Sequence, residues 1–382
     1  MTNQDFNEMR PFEPEELPIA YDELLADATF CKIASIVFPD MPIDMLASRM
    51  RGCRTNLEFQ RTFCAPFLEG IIQKCSDGLT SDFSAITPTP GKQNYTYISN
   101  HRDIVLDSGL LDLLLVHKGL PTVEIAIGDN LLIYPWIKTL VRINRSFIVT
   151  RTGGIHDMLL ASQRLSAYMH HAITDKRSAI WIAQREGRSK DSQDHTQESL
   201  LKMMALAGEG NFNERLRSLN LTPLAISYEY DPCDWLKAQE YQLKRDIEGF
   251  KKTPADDLIS MRTGIFGYKG RIHYQPAACI NEFLDSLPDG LSKQAFTSAV
   301  ATHIDQNIYA NYRLYSGNYV AADLLEGGST FKDYYTDGDC KIFEDYLQGQ
   351  LDKIQLENKD EGFLRHKMLE MYANPAIHQH SL

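Results

Sequence analysis

The segment with the most reactive chemistry is Tyr95-Thr-Tyr-Ile-Ser-Asn-His101-Arg102-Asp103-Ile-Val-Leu-Asp107-Ser-Gly-Leu-Leu. An imidazole can take a proton from an alcohol near neutral pH. A carboxylate beside it fixes the tautomer and stabilises the imidazolium that forms. Either Asp107 or Asp103 can supply that carboxylate. With Tyr95–Ser99 as a strand and a helix soon after, His101 falls at the strand's C-terminal edge, where open α/β sheets carry their sites. The plainer alternative is a histidine and two aspartates that merely cap a helix, since short motifs are weak signals.

The pattern around this segment is that of an α/β fold, in which short apolar runs alternate with helical ones. Tyr95–Ser99, Val123–Ile127, Phe147–Thr150, Ala179–Ala183 and Pro223–Tyr228 read as strands, with Leu106–Lys118, Pro135–Val141 and Ile155–Thr174 as helices between them. Crossovers of this kind predict a mainly parallel sheet flanked by helices. Arg262–Pro276, with Gly264, Gly267 and Gly270, reads as further strand and turn, and Gln294–Tyr315 and Lys341–Gln355 as helices.

Before the sheet, residues 1 to about 55 are acidic and punctuated by proline, and Phe38–Pro42 introduces a short helix. Thr55 and Glu58 form a capping box for a longer one, in which Phe59, Phe63, Phe67 and Ile71 recur every four residues and Pro66 introduces a kink. Ser76–Lys92 reads as a connection. The expected organisation is an N-terminal helical region over 1–80, an α/β domain over 81–290 and a C-terminal helical region over 291–382.

Composition narrows the function. Thirty-nine Lys and Arg against 51 Asp and Glu give a net charge of −12, which disfavours a nucleic-acid groove, because phosphate backbones call for a broad basic excess. The seven cysteines are scattered, with no zinc-ligand spacing, and read as thiols of a reducing compartment. The acidic start, Met1–Asp5, is unlike a signal peptide, and no run of apolar residues is long enough to span a bilayer. The expected location is cytoplasmic, with peripheral contact on the inner membrane face left open. No metal is expected: His170-His171, His378 and His380 lack partners at metal spacing, and Asp191 and Asp194 read as an acidic loop. His156, His195 and His273 carry no motif.

Further segments match a known pattern in order and spacing. His101-Arg102 through Asp107 resembles the first motif, His-x4-Asp, of the glycerolipid acyltransferases, especially the bacterial glycerol-3-phosphate acyltransferases. Gly128–Pro135 with Arg142–Arg151 is similar to their second motif, Arg185-Glu186-Gly187-Arg188-Ser189-Lys190 to their third, and Leu221-Thr222-Pro223 through Tyr228-Glu229 to their fourth. The strand Arg271–Pro276 resembles the one that follows. The likeness covers Tyr95 to Tyr230.

Several positions depart from the family. Asp107 lies one residue too far from His101, and a one-residue helical bulge would restore the geometry. Arg145 stands where the family has glycine, and Arg151 matches the second of its paired arginines. The third motif is one residue short, so either Glu186 or Arg185 occupies the family's glutamate position.

The resemblance implies a glycerol-3-phosphate acyltransferase-like fold and an O-acyltransferase of phospholipid synthesis. Such an enzyme moves a fatty acyl group from coenzyme A or an acyl carrier protein to the hydroxyl of glycerol-3-phosphate or lysophosphatidate, with His101 as general base. No cofactor is implied beyond the acyl donor. Arg142, Arg145, Arg151, Arg188 and Lys190 would form the phosphate pocket, since guanidinium pairs bidentately with phosphate oxygens. Glu186, Gly187, Ser189 and Pro223 would contact substrate. Leu110–Val116 is a candidate acyl-tunnel wall, with plain core as the commoner reading, while Phe59–Ile72 or Leu131–Trp136 would supply an apolar face to a membrane. Two alternatives are an N-acyl amino acid as acceptor and a non-catalytic lipid- or thioester-binding protein.

Overall fold

A computed structural model describes residues 6–151 and 153–382; the acidic start Met1–Asp5 lies outside the described residues. Among them seven strands form one sheet: β1 (Gly78–Ser81), β2 (Thr96–Ser99), β3 (Glu124–Gly128), β4 (Ser146–Val149), β5 (Ile180–Ala183), β6 (Leu221–Tyr228) and β7 (Arg271–Pro276). Their order is β1-β7-β6-β2-β5-β3-β4. The five central and outer strands β2 to β6 run parallel, while β7 returns antiparallel to β6 and β1 pairs parallel with β7. The protein is therefore α/β with a mostly parallel sheet flanked by helices.

Burial on both faces explains the short apolar strands. In β2, Tyr97 packs beneath the helices Leu106–His117 and Ala65–Cys75, whereas Ile98 packs on the opposite face beneath Ile155–His170 and Lys293–Ala310. The alternation continues in β5, where Trp181 and its neighbours Ile180 and Ile182 divide between the same two faces. Pro223 sits in the middle of the sheet without disrupting it. Its carbonyl accepts from Ala277, and the next residue stands opposite Pro276, so its missing N–H falls where pairing with β7 ends.

Several sequence expectations need correcting. Arg262–Phe266 is not strand but the end of a helix, Pro254–Phe266, started by a Thr253–Asp256 capping box; only Arg271–Pro276 is extended. Ser76–Lys92 contains β1, a short edge strand whose Gly-Leu-Thr-Ser sequence carries little apolar pattern, and β1 straddles the 80/81 boundary. The acidic N-terminal stretch holds two unforeseen helices, Leu17–Ala26 and Ala28–Val37, before the expected short one at Ile43–Gly52. The Thr55 hydroxyl does accept from Glu58 N, but the Glu58 carboxylate reaches Arg54 N and so closes only half of a box. The helix that follows turns to π geometry over Gln60–Cys64, with Ala65 N donating to Gln60, just before Pro66. Helix Lys293–Ala310, assigned from sequence to a separate C-terminal region, packs on the sheet through Phe296, Val300 and Ile304.

Candidate functional site

His101, its aspartates and the residues of the third motif gather at the C-terminal edge of the parallel strands. His101 follows β2, Arg151 follows β4, and Arg185 to Lys190 follow β5. Backbone bonds tie the first and third of these segments together: Gln184 N donates to Ser99 at 2.8 Å and Ser189 N to His101 at 3.1 Å. Asn100, fully buried, exchanges two bonds with the backbone of Ile226 and fixes the end of β2 against β6.

The histidine's partner is Asp107. His101 Nδ1 lies 2.8 Å from Asp107 Oδ2, which also accepts from Arg102 N at 2.7 Å. Asp103 has a different task. Its Oδ1 accepts from Val105 N and Leu106 N, both at 2.8 Å, and so caps the helix that presents Asp107. Burial, followed by the charge of Asp107, raises the Asp103 carboxyl above the ordinary range. The extra residue of the His–Asp spacing is absorbed in this turn before Leu106; the expected bulge inside the helix does not occur.

Other contacts hold the pair. The Trp181 ring meets the imidazole edge-on at 5.9 Å between centroids, and its indole N–H donates to Ser99 Oγ. Tyr274 donates toward the carbonyls of Leu106 and Asp107 from β7. Arg102, although next to the histidine, is buried in an ion pair with Asp194 at 2.6 Å and beside the Tyr312 ring, so it anchors the turn and does not face the site.

His101 opens onto a cavity of about 1210 Å³. One end is apolar, walled by Phe30, Leu46, Met50, Phe59 and Phe63 of the N-terminal helices. The end nearer the third motif is charged. Arg151, Arg185, Arg188 and Lys190 line it, along with Glu186 and Gly187. Arg185 Nε and Arg188 Nη1 are buried and have no hydrogen-bond partner among the described residues, an arrangement that suits an anion. Arg188 stays charged despite burial, which opposes this, because the Cys233 thiol, Asp103 and Asp231 raise its pKa. Gly187, at φ +69°, makes the tight turn that puts these two arginines on the wall.

The remaining sequence candidates divide by position. Glu186 stands at the cavity's exposed side, 3.3 Å from Arg151. Ser189 is fully buried with its hydroxyl on Asp191, so it acts through its backbone and not on a ligand. Lys190 is held by Glu240 at 2.5 Å, and burial lowers it to about 8. Three expectations fail on geometry. Arg145 precedes β4, at the opposite edge of the sheet, where it bonds Thr122 O and Ser178 Oγ. Arg142 bonds the carbonyls of Arg10 and Asn7 and stacks on Phe12. Pro223 is a core strand residue. Leu110 to Leu115 are likewise core beneath the sheet and do not wall the cavity.

Sequence reasoning did not foresee the wall contributed by residues 229–270, where Lys237, Glu240 and Lys252 line the charged end. Lys237, Glu240 and Lys244 recur at helical spacing, a signal that was present in the sequence and left unused. His273 bonds Thr80, His195 approaches Asp305 at 3.5 Å, and neither lines the cavity. Among the described residues no group of His, Cys, Asp and Glu could hold a metal ion, and no helix is long and apolar enough to cross a membrane. Chemically, the arrangement offers a carboxylate-supported imidazole between an apolar chamber and an anion-ready turn. No protein-family model matches the chain, and no curated protein matches it.

Proposed function

We propose that the chain is an O-acyltransferase that moves a fatty acyl group from an acyl thioester to the hydroxyl of a phosphate-bearing acceptor, glycerol-3-phosphate or lysophosphatidate, on a glycerol-3-phosphate acyltransferase-like fold. One arrangement carries this reading: the His101–Asp107 pair stands where the apolar chamber meets the turn bearing Arg185 and Arg188. An acyl chain suits the chamber and a phosphate suits the arginines, which brings thioester carbonyl and acceptor hydroxyl together at the imidazole.

With Nδ1 occupied by Asp107, Nε2 is the ring nitrogen left to take the hydroxyl proton. The oxygen attacks the thioester carbonyl, the tetrahedral intermediate collapses with loss of thiolate, and the imidazolium returns the proton to sulfur. Asp107 stabilises the imidazolium between these steps, a general-base contribution of about 10²- to 10⁴-fold. No acyl-enzyme is required.

The test is thiol release from palmitoyl-coenzyme A by wild type and His101→Ala, with glycerol-3-phosphate, lysophosphatidate or N-acylglycine as acceptor. Acceptor-dependent release with a phosphate acceptor, lost in the variant, supports the proposal. Release only with N-acylglycine would reassign the acceptor class. Release with none, repeated with an acyl carrier protein as donor, would leave a binding protein.

A further inference from the structure

Three large apolar side chains both line the cavity and stand exposed: Ile33 at 38%, Tyr134 at 46% and Leu258 at 36%. They mark its mouth. Each comes from a different element: the helix Ala28–Val37, the N-cap of Pro135–Ile143, and the helix Pro254–Phe266. Further exposed apolar side chains flank them. Ile36, 70% exposed, lies one turn beyond Ile33, and Ile259, 49% exposed, adjoins Leu258. Leu159 and Leu160 adjoin Met158 and Ala161 of the cavity wall. Single exposed apolar residues need no explanation, but several gathered around an apolar opening do.

Exposed cations stand beside these side chains, and the carboxylate next to Leu258 in the lining, Asp257, is paired with Lys252 at 3.1 Å. Lys32 lies four residues before Ile36, Lys138 four after Tyr134, and Arg262 four after Leu258, and all three cations are exposed. Residues at this spacing share a helix face, so each mouth element offers an apolar side chain and a cation together. Long basic stems keep their charge at the level of lipid headgroups while apolar neighbours enter the acyl region. This placement stands out in a chain of net charge −12.

We infer that the cavity mouth is a docking surface for an anionic bilayer, which inserts Ile36, Leu258 and Ile259 among the acyl chains and opens the chamber to the lipid phase. The inference rests on the acyltransferase reading for its purpose, since a lipid acceptor or product then enters and leaves without crossing water. Of the two segments expected from sequence to meet a membrane, only Leu131–Trp136 reaches this face, through Tyr134. Phe59 and Phe63 are buried within the chamber wall, and of Leu131–Trp136 only Tyr134 and Pro135 are exposed.

The test is co-sedimentation of the full chain with vesicles of phosphatidylcholine and phosphatidylglycerol, with no donor or acceptor present. Wild type is expected to bind, and Ile36→Asp/Ile259→Asp to lower the bound fraction about tenfold or more. Lys138→Glu/Arg262→Glu should weaken binding to these vesicles more than to pure phosphatidylcholine. Ile342→Asp, at an exposed site on the distant helix Asp337–Leu351, should bind as wild type does. Wild-type binding by the Ile36/Ile259 variant, with unchanged circular dichroism, would overturn the inference, as would an equal loss in Ile342→Asp. Binding without turnover of any acceptor would defeat the acyltransferase reading and leave the surface assignment standing. Turnover of soluble glycerol-3-phosphate by a chain that ignores vesicles would do the reverse.

Discussion

Asp107 Oδ2 sits 2.8 Å from His101 Nδ1, while Asp103, closer in sequence, turns its carboxylate onto the N–H groups of Val105 and Leu106. The two aspartates therefore separate experimentally. Asp107→Asn keeps the shape but removes the charge that supports an imidazolium, and kcat should fall by about 10²- to 10⁴-fold. Asp103→Asn retains a good cap and should change kcat little, whereas Asp103→Ala should cost about 1 kcal/mol of stability. Steady-state thiol release and urea unfolding, run on all three, distinguish the roles.

Arg185→Gln and Arg188→Gln each remove a charged donor from the cavity wall. A charge-assisted hydrogen bond is worth about 1.5–3 kcal/mol, so KM for a phosphate acceptor should rise roughly tenfold to a hundredfold, with a smaller effect on the donor's KM. Arg145→Gln, at the far edge of the sheet, should leave the acceptor KM unchanged. Acceptor titrations at saturating palmitoyl-coenzyme A check both.

Gly264→Ala provides a sign test. Within a helix the change should stabilise by about 1 kcal/mol on propensity alone. Here an added Cβ would lie 1.9 Å from Asp103 Oδ2, and the cap bonds of Asp103 resist its withdrawal. The variant should instead unfold at lower urea and lose turnover, because the displaced turn carries His101. A stabilised, fully active Gly264→Ala would refute the link.

Asp112 gives stability a pH dependence. Burial, against the opposing bonds from Val123 N and Gln60 Nε2, raises its carboxyl to about 7. A raised acid holds a proton in the native state that the unfolded chain releases, so stability falls as pH rises from the unfolded value near 4 to about 7 and is level above that. Asp112→Asn lacks this term. The advantage of wild type over the variant in urea midpoint should be largest near pH 4 and shrink up to pH 7.

The sequence made the central strands and the histidine's surroundings legible because both are local: strands buried on two faces read as short apolar runs, and His101 follows one of them directly. Arg145 was misplaced because the family resemblance drew it into the phosphate pocket, although it precedes the strand that Arg151 follows and so belongs to the opposite edge. The Arg262–Phe266 helix was misread because its glycines look like turn signals, while Gly264 in fact makes room for Asp103. Nor could spacing reveal the chamber, since its walls come from N-terminal helices that meet the sheet only in three dimensions.

The antiparallel return of β7 has a consequence for how such a protein can change over generations. Residues 229–270 leave β6 and re-enter the sheet at the same edge, and they contribute Lys237, Glu240 and Leu258 to the cavity. An excursion that begins and ends at one edge needs no crossover, so it can lengthen, shorten or be exchanged without altering strand order. His101, Asp107 and the β5 turn lie outside it. The proposed substrate preference and bilayer affinity can therefore be remodelled within this excursion wherever Gly264 keeps its room for Asp103, while the His101–Asp107 pair is inherited intact.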